Sequence, residues 1–285
     1  MKHTALILGS ILFMSSINHN GFAENFSDSI PNVNNFIKPS QWKGKKVIFL
    51  GDSITDKKRI GTSKCYWEYL AENLEFSPIV YAINGNQWNG VMIQAGMMKD
   101  ELNNDFDAII IFAGTNDFNA GIPIGEWYNI TDKETEIVSK EGVVKGFRKH
   151  RDFNYNSDTF TGRINNVMKF LKSNYPTKQI VLLTPIHRGY AKFGNNNIQP
   201  QETFANKIGL FLDEYVELIK QAGNVWSVPV IDLNSLSGIY PIEESHSIYI
   251  SNKDTDRLHP NAEGHYRMAK TLEYQLINLP SSFEE

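Results

Sequence analysis

The alternation of short apolar runs with helical patterns is the feature that most constrains the fold of this chain. Five runs are rich in β-branched residues and bounded by turn-forming residues: Lys46–Leu50, Ile79–Ile83, Ala108–Ala113, Gln179–Thr184 and Val228–Leu233. Apolar residues at helical spacing fill residues 67–74, 164–171, 208–219 and 266–276. Nearly continuous apolar strands that alternate with helices predict a three-layer α/β/α sandwich with a mainly parallel, five-stranded sheet.

The size and charge of the chain favour one folded domain over residues 45–280. Of the 285 residues, 41% are hydrophobic and 21% charged, which is enough apolar surface for a large core. Residues 24–44 are polar, contain Pro31 and Pro39, and are interpreted as an extended lead-in. The formal net charge of −4 and the scattered basic residues argue against nucleic acid as a partner. The oligomeric state stays open.

The N-terminus has the pattern of a signal peptide over residues 1–23. Lys2 and His3 give a short basic start, and residues 5–14 are mostly apolar. Gly21 and Ala23 place small residues at the −3 and −1 positions of a cleavage site before Glu24. The apolar run is too short to span a bilayer, so we expect export to the periplasm or medium without stable membrane insertion. A buried N-terminal strand or helix is the alternative.

Three polar residues occupy positions that suit nucleophilic catalysis. Ser53 lies three residues after the first apolar run, and Asp256 and His259 precede the last helical stripe. Because ligands bind at the carboxyl ends of parallel strands, side chains that follow strands are expected to line one site. A hydroxyl, an imidazole and a carboxylate are the groups that a serine esterase needs. The Gly-Asn and Gly-Thr-Asn-Asp segments after the second and third runs lie at the same edge.

These segments resemble the blocks of the SGNH (GDSL-type) hydrolase family. The four matching blocks read GDSIT at 51–55, INGN at 83–86, GTND at 114–117 and DRLHP at 256–260. The first block departs from GDSL by carrying Ile54, which keeps an apolar side chain behind the serine. The resemblance extends from Gly51 to the last helix and implies a flavodoxin-like sheet.

The resemblance assigns a role to each matching residue. Ser53 would be the nucleophile, His259 the general base and Asp256 the group that orients the imidazole. The backbone N–H groups of Ser53 and Gly85 and the side-chain amide of Asn116 would form the oxyanion hole. Gly90 is the alternative to Gly85 in the second block. Pro260 would lie in the first turn of the last helix and hold His259 at a rigid helix start.

Candidate substrate contacts lie next to these blocks and on a long insertion. They are Asp52, Trp88, Trp127 and His187. Residues 118–158 are predicted to form a long loop, and long loops at the active-site end often bind substrate. This segment carries many charges and lacks an apolar helix. These features favour substrates with short acyl groups on a polar scaffold over long-chain lipids.

Other functional motifs are missing from the sequence. The elbow Gly-x-Ser-x-Gly, the zinc motif HExxH and the phosphate loop are absent, so we expect neither metal nor cofactor. Cys65 is the single cysteine and is interpreted as a small buried hydrophobe.

The prediction for function is an exported serine esterase that acts on small acyl esters, with acetylated carbohydrate among the candidate substrates. Lipases, phospholipases, thioesterases and acyltransferases are alternatives, because the same triad serves all of them. A non-catalytic glycan-binding protein on the same fold is the alternative outside enzymes.

Overall fold

A computed structural model describes residues 40–279 of the chain. The predicted signal peptide and residues 24–39 of the predicted lead-in lie outside the described residues. Residues 41–44 form a turn that leads into the first strand. The Trp42 side chain of this turn is buried, and its indole N–H donates to the carbonyl of Leu276, which ties the start of the domain to its last helix.

The described residues form eleven strands and seven α-helices. The strands are β1 Lys46–Gly51, β2 Ser77–Val80, β3 Ala108–Phe112, β4 Tyr128–Ser139, β5 Gly142–Phe153, β6 Gln179–Leu183, β7 Ala191–Lys192, β8 Ile198–Gln199, β9 Val230–Ile231, β10 Ile250–Asn252 and β11 Asp256–Pro260. The α-helices are α1 Tyr66–Leu74, α2 Trp88–Leu102, α3 Thr115–Ala120, α4 Phe160–Asn174, α5 Leu212–Trp226, α6 Leu233–Leu236 and α7 Ala262–Asn278, with a 3-10 helix at Glu244–Tyr249.

The central sheet has five parallel strands in the order β2-β1-β3-β6-β9. Alternate residues of these strands face two separate apolar cores. Ile48 and Ile109 belong to the core packed against α2, α4 and α5, whereas Val47 and Ile110 belong to the core packed against α1 and α7. The sheet is therefore covered on both faces, and the predicted three-layer α/β/α fold with flavodoxin-like strand order is confirmed.

Helix α2 has no counterpart among the predicted helical stripes. Its inner face buries Trp88, Val91 and Met98, but its outer face also carries the exposed apolar residues Ile93 and Met97. A helix is recognised in a sequence by one apolar and one polar face. Because both faces of α2 carry apolar residues, this difference between the faces is weak.

A second, small sheet lies beside the central one and has the strand order β10-β11-β7-β8. Its neighbouring strands pair antiparallel, with Asp256 of β11 opposite Ala191 of β7. Pro260 ends β11, and α7 begins at Ala262 after the cap residue Asn261, whose side chain accepts the Gly264 N–H. The expectation that Pro260 lies in the first helical turn is therefore wrong, because Asn261 supplies the helix cap.

Residues 118–158, predicted as a long loop, are mostly regular. They contain the end of α3 and a two-stranded antiparallel ribbon, β4–β5, of two 12-residue strands joined by Lys140 and Glu141. Polar residues occur on both faces of this ribbon, so the apolar–polar alternation that identifies a half-buried strand is missing. None of the helices within residues 40–279 is long and apolar enough to cross a bilayer.

Candidate active site

Ser53, His259 and Asp256 lie in one hydrogen-bonded line at the carboxyl end of the central sheet. Ser53 Oγ is 2.8 Å from His259 Nε2, and His259 Nδ1 is 2.9 Å from Asp256 Oδ2. All three residues are buried: 4% of the surface of Ser53, 4% of that of His259 and 8% of that of Asp256 is exposed. A carboxylate at Nδ1 favours the tautomer that carries the proton there, which leaves Nε2 free to accept the serine proton.

The position of Ser53 is set by the end of β1 and by a buried glutamine on α2. The side chain of Gln94 makes two 2.8 Å hydrogen bonds to Gly51, accepting from its N–H and donating to its carbonyl. A side chain on Gly51 would collide with the Phe112 carbonyl on β3, so only glycine fits there. The last residue of β1 is thus held on both sides, directly before the Asp52-Ser53 pair.

Strand β11 presents the other two members of the triad. Asp256 Oδ1 accepts the backbone N–H groups of Leu258 and His259 at 3.2 and 3.0 Å, so the carboxylate is held by the backbone that carries the histidine. The centre of the half-exposed Phe193 ring lies 5.4 Å from the centre of the His259 ring. The three-residue spacing of the motif therefore forms a local turn in which aspartate and imidazole meet.

Hydrogen bonds connect the segments that carry the three predicted oxyanion donors. Gly85 adopts φ +79°, a left-handed conformation that glycine accepts without strain, and it is exposed. Asn116 Nδ2 donates to the carbonyl of Asn86 at 3.0 Å, so the amide lies beside the Gly85 turn and has a second N–H to offer. Among the described residues, no acceptor is bound to the backbone N–H of Ser53 or of Gly85. The alternative, Gly90, is buried inside α2.

Asp56 and Asp117 hold the loops that carry these donors. Asp56 Oδ2 accepts the N–H of Asn84 at 2.8 Å, which connects the serine loop to the Gly85 turn. Asp117 Oδ2 accepts the N–H of Trp88 at 3.0 Å, and its Oδ1 pairs with Arg163 at 2.9 Å. Burial raises the pKa of Asp117 to about 6, although the hydrogen bond and charge of Arg163 lower it.

Arg188 directly follows His187 after the fourth apolar run, a position from which the sequence allows either a substrate contact or a structural role, and the structure makes it a fully buried cation next to the site. Its guanidinium donates to the Thr115 hydroxyl at 3.1 Å and to Gln199 Oε1 at 2.6 Å. Because Thr115 directly precedes Asn116, this hydrogen bond connects Arg188 to the segment that carries the Asn116 amide. Burial lowers the pKa of Arg188 to about 10, while the charges of Glu202, Asp52 and Asp256 raise it. Nothing local in the sequence distinguishes such an arginine from an exposed one.

Asp52 was a predicted substrate contact, but the structure buries its side chain inside the protein with 2% exposed. Its carboxylate accepts the Ile54 N–H at 3.2 Å, which supports the serine loop from within. Burial raises the pKa of the Asp52 carboxyl to about 7, although the Ile54 N–H and the nearby His259 lower it. Its predicted role is corrected from substrate contact to support of the loop.

The two predicted tryptophan contacts are also corrected. Trp88 is fully buried at the start of α2, and Trp127 is buried with its indole N–H donating to Gln221 at 3.1 Å. Both belong to the core between the sheet and helices α2, α4 and α5, because large aromatic rings contribute much apolar surface there. Neither side chain is available to a substrate.

His187, the fourth predicted contact, stays a prediction. Its Nδ1 binds Glu202, its ring meets Tyr240 edge to face, and it lines a cavity of about 200 Å³. Cys65 is buried as predicted, and burial raises the pKa of its thiol to about 12. Within residues 40–279, no three His, Cys, Asp or Glu side chains are placed to share a metal ion.

Comparisons with known proteins agree with this fold. A model of the GDSL-like Lipase/Acylhydrolase family matches residues 49–267. Among solved structures, a Lactobacillus plantarum protein is 23% identical with a TM-score of 0.62, covering 82% of this chain and 97% of its own. A possible lipase from Chitinophaga pinensis is 22% identical with a TM-score of 0.59, covering 81% and 97%.

A member of the lipolytic protein G-D-S-L family from Veillonella parvula is 15% identical with a TM-score of 0.52, covering 82% of this chain and 99% of its own. At these identities the structural matches show a shared fold. No curated protein matches the chain significantly. The family model spans most of the chain, including Ser53, Gly85, Asn116, Asp256 and His259. The chain is therefore a member of the GDSL-like lipase/acylhydrolase family, with the SGNH hydrolase fold.

Proposed function

We propose that the protein is a serine esterase that hydrolyses short-chain acyl esters through an acyl-enzyme on Ser53. The observation that carries this proposal is the continuous hydrogen-bonded line from Ser53 Oγ to His259 to Asp256. Membership of the hydrolase family supports a hydrolytic reaction. The ester class rests on the triad, because a serine–histidine pair forms acyl-enzymes readily with esters.

In the first half of the proposed reaction, Ser53 Oγ attacks the ester carbonyl while its proton passes to His259 Nε2. Asp256 stabilises the imidazolium that forms, and the negative charge moves to the former carbonyl oxygen. The N–H groups of Ser53, Gly85 and Asn116 would bind that oxygen. The tetrahedral intermediate collapses when His259 returns the proton to the alcohol oxygen, which leaves an acyl group on Ser53.

In the second half, water attacks the acyl-enzyme carbonyl and gives its proton to His259. The same donors bind the second oxyanion, and collapse releases the carboxylic acid as His259 returns the proton to Ser53 Oγ.

The preference for a short acyl group on a polar scaffold rests on two features, the composition of residues 118–158 and the side chain next to the triad histidine. Residues 118–158 supply a charged ribbon in place of an apolar helical lid. The exposed apolar side chain in contact with the triad histidine is Phe193, a single aromatic ring. Acetylated carbohydrate is the substrate class that we propose to test first. Export through residues 1–23 is part of the same proposal.

Hydrolysis of p-nitrophenyl esters from acetate to palmitate tests the proposal. The enzyme would be the chain beginning at Glu24, and Ser53→Ala serves as the inactive control. We expect turnover that depends on Ser53 and falls steeply beyond butyrate. A preference for long chains would support a lipase in its place.

Labelling by a fluorophosphonate separates a catalytic from a binding protein. The reagent forms a stable adduct only with a serine that its neighbours activate. We expect labelling of the natural protein and none of Ser53→Ala. Absence of labelling together with absence of ester turnover would favour the non-catalytic glycan-binding alternative.

A further inference from the structure

The β4–β5 ribbon presents a surface that the proposed reaction does not use. Its base is anchored where Phe153 stacks on Trp226 at 4.4 Å and where Asn165 donates to the carbonyls of Trp127 and Asn154. Beyond this base, almost every residue of both strands is exposed. A two-stranded ribbon alone is only marginally stable in water, so a free ribbon of this length is unusual.

One face of the ribbon, here named face A, carries the exposed apolar side chains. Residues directly opposite in an antiparallel pair share a face, and alternate residues of a strand share one too. Beyond the Tyr128–Phe153 pair at the base, face A therefore consists of Ile130, Asp132, Glu134, Glu136 and Val138 of β4 with Val143, Lys145, Phe147, Lys149 and Arg151 of β5. Its apolar members are exposed by 57% (Ile130) to 86% (Val138).

The opposite face buries more of its apolar residues within the ribbon. Ile137 and Val144 lie opposite each other there and are half-buried, with the Ile137 side chain packed over Gly146. The exposed apolar surface of the ribbon is therefore concentrated on face A.

The charges of face A are separated by strand. Its acidic residues Asp132, Glu134 and Glu136 all lie on β4, and its basic residues Lys145, Lys149 and Arg151 all lie on β5. Within the chain they form exposed ion pairs, with Lys149 to Asp132 at 2.8 Å and Lys145 to Glu134 at 3.1 Å. Such exposed pairs contribute little stability on their own.

This arrangement is complementary to itself. A two-fold axis along the ribbon would place the acidic row of one copy over the basic row of the other, with Asp132 facing Lys149 and Glu136 facing Lys145. The same axis would bring the Val138 and Val143 ends together. A two-fold axis across the strands would place like charges over each other, which is unfavourable.

We propose that face A binds face A of a second copy of this chain and forms a two-fold dimer. Face A runs over residues 130–138 of β4, roughly 30 Å at about 3.3 Å per residue, so the paired faces reach only the lower range of specific interfaces. The dimer is accordingly weak, and its population depends on protein concentration. Burial of Phe147 and the valines supplies its apolar contribution, and the charge rows set its register.

Sedimentation velocity over a range of protein concentrations tests the dimer. The chain beginning at Glu24 is compared with K145E/K149E, which makes both strands of face A acidic. The matched control is K133E/R148E, which changes the net charge equally but alters the opposite face. K145E/K149E also breaks two ion pairs of the ribbon, Lys149–Asp132 and Lys145–Glu134, and the control breaks one, Lys133–Asp152. We expect dimers for the natural chain and the control, and monomers for K145E/K149E.

Charge exchange distinguishes repulsion from unfolding of the ribbon. D132K/E136K is also expected to be monomeric, but an equimolar mixture with K145E/K149E should form a heterodimer. The quadruple variant D132K/E136K/K145E/K149E reverses both rows and should dimerise like the natural chain. A natural chain that stays monomeric, or test and control variants that associate equally, would overturn the proposal. Ester turnover should stay unchanged throughout, so the proposed function is tested separately.

Discussion

At the scale of single residues, the geometry around Ser53 depends on buried polar side chains that would not touch a substrate. Gln94 holds the end of β1, Asp56 holds the Gly85 turn, and Asp117 holds the segment of Asn116. Each of these side chains accepts a hydrogen bond from a backbone N–H group, which fixes the orientation of that backbone segment. Side chains that orient the donors in this way keep them in place before a substrate arrives.

Asn116→Ala should lower kcat for ester hydrolysis by about 10²–10³-fold, because one of three oxyanion donors is removed. Asn119→Ala, on the exposed side of the same helix α3, is the control and should change kcat little. Steady-state kinetics on p-nitrophenyl acetate measures both. A loss of less than threefold for Asn116→Ala would show that its amide does not bind the oxyanion.

Asp52→Asn should change how stability depends on pH. The Asp52 carboxyl has a pKa of about 7 in the folded protein against an ordinary value of 3.8, so the folded state holds the proton more tightly. Its contribution to stability is fully present below pH 4 and is lost as pH rises to 7, by an amount of up to about 4 kcal/mol.

Asparagine carries no proton to lose, so the variant lacks this loss. The difference in unfolding free energy, Asp52→Asn minus natural, should therefore increase from pH 4 to pH 8 in urea titrations. The control Asp158→Asn removes an exposed carboxyl and should show a constant difference. A constant difference for Asp52→Asn as well would contradict the raised pKa.

At the scale of elements, one ion pair joins three helices next to Asn116, a predicted oxyanion donor. Asp117 of α3 binds the first N–H of α2 and the Arg163 side chain of α4. Arg163 also donates to Gln87 at 2.7 Å, directly before α2. Helix α3 has only six residues, so its position depends on these contacts more than on its own helical hydrogen bonds.

Asp117→Leu should lower the free energy of unfolding by about 3–5 kcal/mol, because it leaves the Arg163 charge buried without its partner. The double variant Asp117→Leu with Arg163→Met removes both charges and should recover part of this loss. Chemical denaturation of the natural protein, both single variants and the double variant gives the coupling. Strictly additive losses would show that the pair does not act as a unit.

At the scale of the whole molecule, the folded body and the ribbon have different sources of stability. The body buries two apolar cores on the faces of one parallel sheet, whereas the ribbon buries little beyond Tyr128 and Phe153 at its base. The triad depends on the body alone, through β1, α3 and the small sheet that carries β11. The two parts can therefore change independently.

Replacing residues 130–151 by an Asn-Gly turn between Asn129 and Asp152 should leave catalysis and folding intact. These two residues pair directly, so a two-residue turn closes the shortened ribbon. We expect a Tm within a few degrees of the natural protein, unchanged kcat/KM on short esters and no dimer. A large loss of kcat/KM would show that the ribbon contributes to substrate binding.

Local chemistry made much of this protein predictable from its sequence. β-branched runs and helical stripes encode their own secondary structure through side-chain sterics and burial, so the five parallel strands and three layers followed from the pattern. The short blocks around Ser53, Asn116 and His259 were recognisable because catalysis requires particular groups in a particular order. The Asp256–His259 pair was accessible as well, since both residues lie within one local turn.

Contacts between distant segments were decided only by the tertiary structure. Trp88 follows a strand and Trp127 lies on the long insertion, both positions where a binding residue is expected, yet the fold buries both in the core. The burial of Asp52, Asp117 and Arg188, and the pKa values that follow from it, depends on packing by residues far away in the chain. The sequence by itself thus determined the five strands of the central sheet, four of the helices packed on it and the groups that could react. The tertiary structure decided which side chains reach solvent, because burial is a property of the assembled layers and not of any local segment.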